Sequence, residues 1–257
     1  MRPIHRGDSP QPEDFDPYRD AFPFLQSRLG PYCSFCERQI HTQLAVEHIQ
    51  PKKKGMYPHL IGKWDNYVLA CVNCNSTKGD KNVFLDRFFL PDRDNTMAAF
   101  DYTPDGRIVP MPGLFGDPLK IAKDTLALTG LDKRISEAFD ENGKLVAIDR
   151  VAQRMTAWLK ARSSKEDLAA SNTPQMRRMI IKWAADCGFF SIWMKVFHDD
   201  PVMRQMLIDG FEADVTTETG TERVYFGFAG TAKDCFNPDT TTRSPRPANR
   251  LEHSGKI

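Results

Sequence analysis

The 257-residue sequence predicts an α+β fold, in which a small metal-stapled module is followed by a mostly helical region. Two C-x-x-C pairs lie near the start of the chain, Cys33 with Cys36 and Cys71 with Cys74. Beyond Asp117 the apolar residues recur at helical spacing between Gly, Pro, Asn and Asp residues. These patterns predict three parts: a module with an N-terminal helix at 1–116, a helical region at 117–235 and a flexible tail at 236–257.

Composition and charge are those of an ordinary globular protein, with 40% hydrophobic and 27% charged residues. The longest apolar runs are too short to span a bilayer, and the chain does not open with the order of residues typical of a secretory signal. We therefore expect a cytoplasmic protein without membrane contact. The net charge of +1 gives no global basic field, but residues 33–90 contain eight Lys or Arg against five acidic residues. That local excess permits nucleic-acid binding.

Taken in order, the chain predicts a short helix first, because Tyr18, Phe22, Leu25 and Leu29 recur at helical spacing before Gly30-Pro31. Short strands are expected at 39–41 and 45–47, residues 67–70 lead into the second cysteine pair, and a helix is expected over 75–81. A hairpin is expected around Asp105-Gly106. The helices expected in the second half are 117–128, 131–140, 144–162, 174–186, 189–197 and 199–209.

The four cysteines have a spacing suited to one structural zinc site. Paired C-x-x-C motifs in a cytosolic chain are more often metal sites than disulfides, and four thiolates close a tetrahedral Zn²⁺ site. Separate buried thiols and a redox C-x-x-C are the alternatives. We expect zinc to hold the local fold, so loss of one thiolate should unfold the module.

Side chains that could bind a second metal ion and accept a proton lie between and directly behind the cysteine pairs. Glu47 precedes His48, and Asn75 follows Cys74. Carboxylate and amide oxygens suit a hard cation such as Mg²⁺, whereas thiolates suit zinc. A neutral imidazole near pH 7 can take a proton from water. The alternatives are a solvent-facing Glu47 and an ordinary hydrogen-bonded His48.

Ten residues follow a single signature: Cys33, Cys36, Glu47, His48, Pro51, Asn66, Cys71, Cys74, Asn75 and Lys78. In these residues the sequence resembles the HNH endonucleases. The resemblance implies a ββα-metal fold, with Glu47 and His48 at the end of the first strand and Asn75 on the helix. Asp is commoner at the position of Glu47 and His at that of Asn75, but both residues keep a possible metal-ligating atom.

The resemblance also implies a function and a role for each residue. The implied function is hydrolysis of phosphodiester bonds in DNA, with His48 as general base and Asn66 holding the loop that aims it. Glu47 and Asn75 are the implied ligands of a catalytic Mg²⁺ or Mn²⁺ ion. Lysines beside such a site are expected to neutralise phosphates. They are Lys52, Lys53, Lys54, Lys78 and Lys81.

A finer resemblance extends over about residues 1–130, through the motifs MRPIHRG, GPYCSFCE, AVEHIQPK, LACVNCNSTKG and LPDRDNT. These motifs are similar to the PtuB family, the HNH subunits of Septu antiphage systems, which act with an ABC-type ATPase subunit, PtuA. This resemblance implies the nuclease effector of an antiphage complex, with the helical half from about residue 117 as the docking surface.

The chain has no Walker-type loop, so any ATP-driven step would need another chain. Two other classes stay open. One is a zinc-dependent nucleic-acid-binding module without catalysis, and the other is a structural adaptor of a larger complex.

Overall fold

The computed structural model describes residues 1–53, 55–133 and 150–236. Within these ranges the chain combines helices and strands, as the predicted α+β class requires. The helices are α1 (Phe22–Leu29), α2 (Val72–Lys78), α3 (Gly116–Thr129), α4 (Arg150–Ala170), α5 (Pro174–Cys187), α6 (Phe190–Val196) and α7 (Pro201–Asp209). The strands are β1 (Leu44–His48), β2 (Tyr67–Cys71), β3 (Phe100–Tyr102), β4 (Ile108–Pro110), β5 (Phe211–Thr217) and β6 (Gly220–Phe226). They form three antiparallel pairs, β1 with β2, β3 with β4 and β5 with β6.

The first strand pair and the helix behind it carry the motif residues. β1 and β2 pair from Leu44 opposite Cys71 to His48 opposite Tyr67. Every residue of β2 is buried, which suits its apolar sequence. Helix α2 follows β2 without a loop and packs against both strands. The end of β1 and one face of α2 are therefore brought close together.

Two local predictions for this module are wrong. Residues 39–41 form no strand, because the chain turns sharply at Glu37 (φ 64°) to close the first cysteine knuckle, and only an isolated bridge joins Gln39 to Tyr32. The helix begins at Val72, three residues earlier than expected, since Cys71 already has the extended backbone of an N-cap residue. It ends at Gly79, whose φ of 54° favours glycine.

The N-terminal segment packs on this module. A short 3-10 helix at Tyr18–Ala21 leads into α1, which ends at Gly30 as the sequence predicts. The helix α1 buries Leu25 and Leu29 and packs against β2. Just before it, the Phe15 ring lies 5.9 Å from that of Trp64 and 6.2 Å from that of Tyr67.

The second half is mostly helical, and the predicted hairpin before it is present as β3 and β4. Helices predicted at 117–128, 174–186, 189–197 and 199–209 are confirmed within two residues at each end. The described part of the helix predicted at 144–162 is α4, which continues to Ala170. Residues 134–149, which include most of the helix predicted at 131–140, lie outside the described residues, and so does the predicted tail at 236–257 beyond its first residue. Among the described helices, none is long and apolar enough to cross a membrane.

The ribbon of β5 and β6 was not predicted. In β5, Phe211, Ala213 and Val215 alternate with polar residues, so the sequence did carry a strand pattern there, but most residues of both strands are exposed and β6 begins with a polar run that does not alternate.

Contacts join the two halves across the predicted boundary at residue 116. The Glu37 carboxylate accepts hydrogen bonds from the Tyr102 hydroxyl (2.5 Å) and the Ser191 amide (2.7 Å), and it pairs with the Met1 amino group (2.8 Å). The Tyr32 hydroxyl donates to the Ala185 carbonyl at 2.9 Å. One buried apolar cluster includes residues from both halves.

The start of the chain also contacts the segment that follows β6. The buried Arg2 guanidinium donates to the Leu29 carbonyl (2.8 Å), the Phe228 carbonyl (3.0 Å) and the Thr231 hydroxyl (2.8 Å). An antiparallel bridge joins Ile4 to Thr231. Three parts of the described chain therefore meet at one arginine.

Candidate functional site

The four predicted zinc ligands meet in one buried cluster. Cys33 and Cys36 lie in the knuckle before β1, Cys71 ends β2, and Cys74 lies in the first turn of α2. Their sulfur atoms all lie within 4.8 Å of one another, and the Cys36 and Cys71 sulfurs are 3.8 Å apart. A tetrahedron with Zn–S bonds of about 2.3 Å has edges of about 3.8 Å. The cluster therefore fits one zinc ion.

Two arginines lie beside the cluster, and within it the cysteines shift one another's pKa in opposite directions: the pKa of Cys36 and Cys71 is lowered, and that of Cys33 and Cys74 is raised. Hydrogen bonds with Cys33, Cys36 and Cys74 lower the pKa of Cys71, and the Arg38 guanidinium, 3.4 Å from the Cys71 sulfur, acts in the same direction. The Arg150 guanidinium lies 3.4 Å from the Cys74 sulfur. Zinc requires deprotonated sulfur ligands, so these positive groups suit a metal site.

His48 lies at the end of β1 and is only 4% exposed. Its Nε2 atom is 3.0 Å from the Ile61 carbonyl, which can only accept a hydrogen bond. The proton therefore belongs on Nε2, and the lone pair of Nδ1 stays available. Burial lowers the pKa of His48 below its ordinary value of 6.5. The imidazole is thus neutral at pH 7, in the tautomer that allows Nδ1 to accept a proton.

The carbonyl that orients His48 is itself held in place. The Tyr67 hydroxyl donates to the same Ile61 carbonyl at 2.5 Å. The buried Asn66 side chain accepts from the Gln50 amide (2.8 Å) and donates to the Gln50 (3.0 Å) and Leu60 (3.2 Å) carbonyls. Asn66 thereby joins the segment after β1 to the residue before Ile61. This geometry agrees with the loop-holding role that the resemblance implies for Asn66.

Glu47 forms a buried ion pair with Lys78. The Lys78 ammonium lies 2.8 Å from Glu47 Oε1 and donates to the His48 carbonyl at 2.7 Å. Lys78 is 1% exposed, so its prediction as a nucleic-acid contact conflicts with the structure. Burial raises the pKa of Glu47, although the positive charge of Lys78 acts in the opposite direction. Lys78 therefore holds the Glu47 side chain close to helix α2.

Glu47 and Asn75 each carry a side-chain oxygen atom that is suited to bind a metal ion. The second Glu47 oxygen, Oε2, makes no hydrogen bond with the described residues, and neither does the side-chain amide of Asn75. Asn75 is half-buried and lies three residues before Lys78, so the two side chains share one face of α2. One carboxylate and one amide oxygen, with water and phosphate oxygens completing the shell, suit Mg²⁺. The residues present therefore fit a hard divalent cation.

The other predicted lysine contacts are exposed where they are described. Lys53 pairs with Asp80 at 3.2 Å, and the Lys81 ammonium donates to the Thr77 carbonyl at 2.8 Å. Lys54 lies outside the described residues. Lys52 approaches the site through Tyr18, because its ammonium donates to the Tyr18 hydroxyl at 2.6 Å.

Tyr18 and Tyr67 are site residues that the sequence did not reveal. Their ring centroids lie 4.8 Å and 5.2 Å from that of His48, both in edge-to-face arrangements. The helical spacing at the N-terminus marked Tyr18 only as an apolar packing residue. No local motif connects it to a histidine 30 positions further along the chain.

Comparison with known families supports the interpretation of this module. Residues 33–81 match the model of the HNH endonuclease family. The match includes the four cysteines, Glu47, His48, Asn66 and Asn75, and it covers about a fifth of the chain. A search of curated proteins finds no match. The chain therefore contains an HNH endonuclease domain with a four-cysteine cluster, which supports a nuclease that acts on nucleic acid.

Proposed function

We propose that this protein is a metal-dependent HNH endonuclease that hydrolyses phosphodiester bonds in DNA. The observation that carries the proposal is His48, a neutral imidazole whose Nε2–H is bonded to a carbonyl while Nδ1 stays available. It directly follows Glu47 on β1, in a domain that matches the HNH family. The short strand pair followed by α2 supports the ββα-metal arrangement that this family implies.

The proposed reaction is a single displacement at phosphorus. His48 Nδ1 takes a proton from a water molecule as the water oxygen bonds to phosphorus, and the bond between phosphorus and the leaving oxygen breaks. Glu47 and Asn75 would hold Mg²⁺ or Mn²⁺, which when bound stabilises negative charge on the phosphate and the leaving oxygen. Lys52, Lys53 and Lys81 neutralise flanking phosphates.

A plasmid-nicking assay tests this function. The zinc-loaded protein should nick supercoiled DNA when Mg²⁺ or Mn²⁺ is added, and not after dialysis into buffer without these ions. His48→Ala should lose cleavage while its zinc content and circular dichroism spectrum match those of the parent. A His48→Ala variant that cuts as fast as the parent would show that His48 is not the base.

A non-catalytic zinc-dependent nucleic-acid-binding module is the second candidate. The ion pair between Glu47 and Lys78 favours it, because a lysine already neutralises the carboxylate that would bind the metal. The same protein would then shift DNA in a gel without cutting it in any divalent metal. Cleavage that depends on both Mg²⁺ and His48 eliminates this candidate.

We further propose that the nuclease is the effector of a Septu-type antiphage complex and binds an ABC-type ATPase such as PtuA. The PtuB-type motifs in the first half of the chain support this assignment, as does the lack of a Walker-type loop. The helical region from about residue 117 supplies the proposed docking surface. Its helices α4 and α5 expose large apolar side chains, which are Met155, Leu159, Met179 and Trp183.

Copurification tests the partner. A PtuA-type ATPase coexpressed with the tagged protein should copurify, and Leu159→Glu should abolish the association. Val202→Glu is the matched control, because Val202 is a similarly exposed apolar residue on α7. Absence of the ATPase from the parent complex would contradict the assignment.

A further inference from the structure

Tyr18 contacts the candidate general base from outside the matched domain. It begins the 3-10 helix at Tyr18–Ala21, whereas the HNH match starts at residue 33. Its ring centroid lies 4.8 Å from that of His48, at an interplanar angle of 67°. On another side the Tyr67 ring meets His48 at 5.2 Å and 89°. Two tyrosine rings therefore restrict the plane of the imidazole.

The hydroxyl group of Tyr18 makes a second contact. The Lys52 ammonium donates to it at 2.6 Å and also lies 4.3 Å from the centre of the ring. Lys52 is exposed and comes only four residues after His48. An ammonium has three N–H donors, so the bond to Tyr18 leaves others available for a phosphate. Restraining a long lysine side chain in advance lowers the entropy cost of that contact.

Tyr18 is itself held firmly in position. Ala21, at the end of its 3-10 helix, is fully buried, and Phe15 packs among the aromatic rings of Trp64 and Tyr67. The Tyr18 side chain is only half-buried, because its outer edge lies at the surface beside Lys52. Tyr18 thus has buried neighbours on both sides in the sequence and a ring edge that faces solvent. This placement suits a residue that orients other side chains at the entrance of a site.

We propose that Tyr18 is a positioning residue of the nuclease site with two separable roles. Its ring fixes the plane of His48, so that Nδ1 points at the attacking water, and its hydroxyl holds Lys52 where a substrate phosphate enters. The inference rests on the proposed nuclease function. It extends the active site beyond the HNH domain, since residues 33–81 alone lack this side chain.

Two substitutions separate the roles. Tyr18→Phe keeps the ring and removes the hydroxyl, so KM for DNA should rise about two- to fivefold with kcat unchanged. Tyr18→Leu removes the ring, so kcat should fall roughly 10- to 100-fold because the base is misaligned. Lys52→Met should raise KM as Tyr18→Phe does, and the double variant should add no further increase. Tyr225→Phe is the control, because Tyr225 is exposed on β6 and its hydroxyl donates to the Asp209 backbone carbonyl.

A spectroscopic measurement tests the ring contact without any need for cleavage. The ring-proton signals of His48 are assigned in the zinc-loaded protein by comparison with His48→Gln. Tyr18→Leu should shift these signals through loss of the tyrosine ring current, whereas Tyr18→Phe and Tyr225→Phe should leave them in place. Circular dichroism and zinc content establish that each variant is folded. If Tyr18→Leu does not fold, Tyr18→Met, which also lacks the ring but has a longer and more flexible side chain, takes its place in both measurements.

The outcomes distinguish the two proposals. A parent protein that cleaves DNA in no divalent metal overturns the nuclease function itself. A parent that cleaves, with a folded Tyr18→Leu variant of unchanged kcat or unchanged His48 signals, overturns the role of the ring. A Tyr18→Phe variant with parental KM overturns the role of the hydroxyl.

Discussion

The Lys78 ammonium lies 2.8 Å from Glu47 Oε1 in the interior of the HNH domain. Because Lys78 also donates to the His48 carbonyl, one lysine on α2 fixes two consecutive residues at the end of β1. The pair therefore joins helix to strand and turns Glu47 so that its second oxygen stays available. A buried charge needs such a partner, since burial of an unpaired ion costs several kcal/mol.

Lys78→Met should destabilise the protein strongly. It leaves the buried Glu47 carboxylate without its partner, and we expect the free energy of unfolding to fall by about 3–5 kcal/mol. Urea denaturation of the zinc-loaded protein measures the change. Lys81→Met, which alters an exposed lysine three residues further on, should stay within about 0.5 kcal/mol of the parent. Equal midpoints for the two variants would contradict a structural role for the pair.

Loss of one cluster cysteine should remove zinc and unfold the module. Cys71→Ser replaces a thiolate with a hydroxyl that binds zinc poorly, so zinc content should fall below one ion per chain and cooperative thermal unfolding should be lost. Elemental analysis and circular dichroism measure both effects. Cys187→Ser is the control, because Cys187 lies outside the cluster and is half-buried. A folded, zinc-loaded Cys71→Ser variant would argue against a four-sulfur site.

Cleavage should persist to lower pH than an ordinary histidine would allow. Burial lowers the pKa of His48, so the base stays unprotonated at neutral pH, and kcat/KM should fall only as the pH drops below about 6.5. Burial raises the pKa of Glu47. Protonation of this carboxylate would release the metal ion and would also lower kcat/KM at acidic pH. pH profiles of kcat/KM at two Mg²⁺ concentrations separate the two causes. Only a decrease that results from loss of the metal ion shifts in pH with the Mg²⁺ concentration. A midpoint above 6.5 that is independent of Mg²⁺ would contradict the lowered pKa.

Asn66→Asp should impair both stability and turnover. The variant keeps an acceptor for the Gln50 amide but loses the two N–H bonds to the Gln50 and Leu60 carbonyls, at a cost of about 1–3 kcal/mol. The loop that carries the Ile61 carbonyl then loses its bond at Leu60, although Tyr67 still contacts Ile61, so kcat should fall more than KM changes. Asn82→Asp is the control, because Asn82 is exposed and its side-chain oxygen can still accept the hydrogen bond from the Tyr57 hydroxyl after the substitution. We expect this variant to keep the kcat of the parent. Parental kcat in both variants would show that Asn66 does not position His48.

Local chemistry made the centre of the site predictable from the sequence. The spacing of two C-x-x-C pairs around Glu47-His48 is a short-range pattern, so the four-sulfur cluster could be predicted without a fold. The burial of Lys78 could not, because a lysine in a polar helix usually faces solvent. Tyr18 was missed for a different reason: its contact with His48 depends on how the 3-10 helix at Tyr18–Ala21 packs on β1, which no short motif encodes.

Long-range packing also explains the errors in the elements. Residues 39–41 have the composition of a strand, but closure of the cysteine knuckle at Glu37 leaves their backbone without a partner strand. The ribbon of β5 and β6 was missed although Phe211, Ala213 and Val215 alternate with polar residues in β5, because the first residues of β6 are polar and exposed and do not identify it as the partner strand.

The contact of Arg2 with residues 228–231 links the N-terminal segment to the segment that follows β6. Those residues follow the helical half where a partner is proposed to dock, whereas Arg2 belongs to the same N-terminal segment as Tyr18. A subunit that displaced the 228–231 segment would disturb the backbone that carries Tyr18, and through it the base. In the proposed complex, any coupling between assembly and bond cleavage would then pass through one guanidinium group, at a distance from the phosphate that is cut.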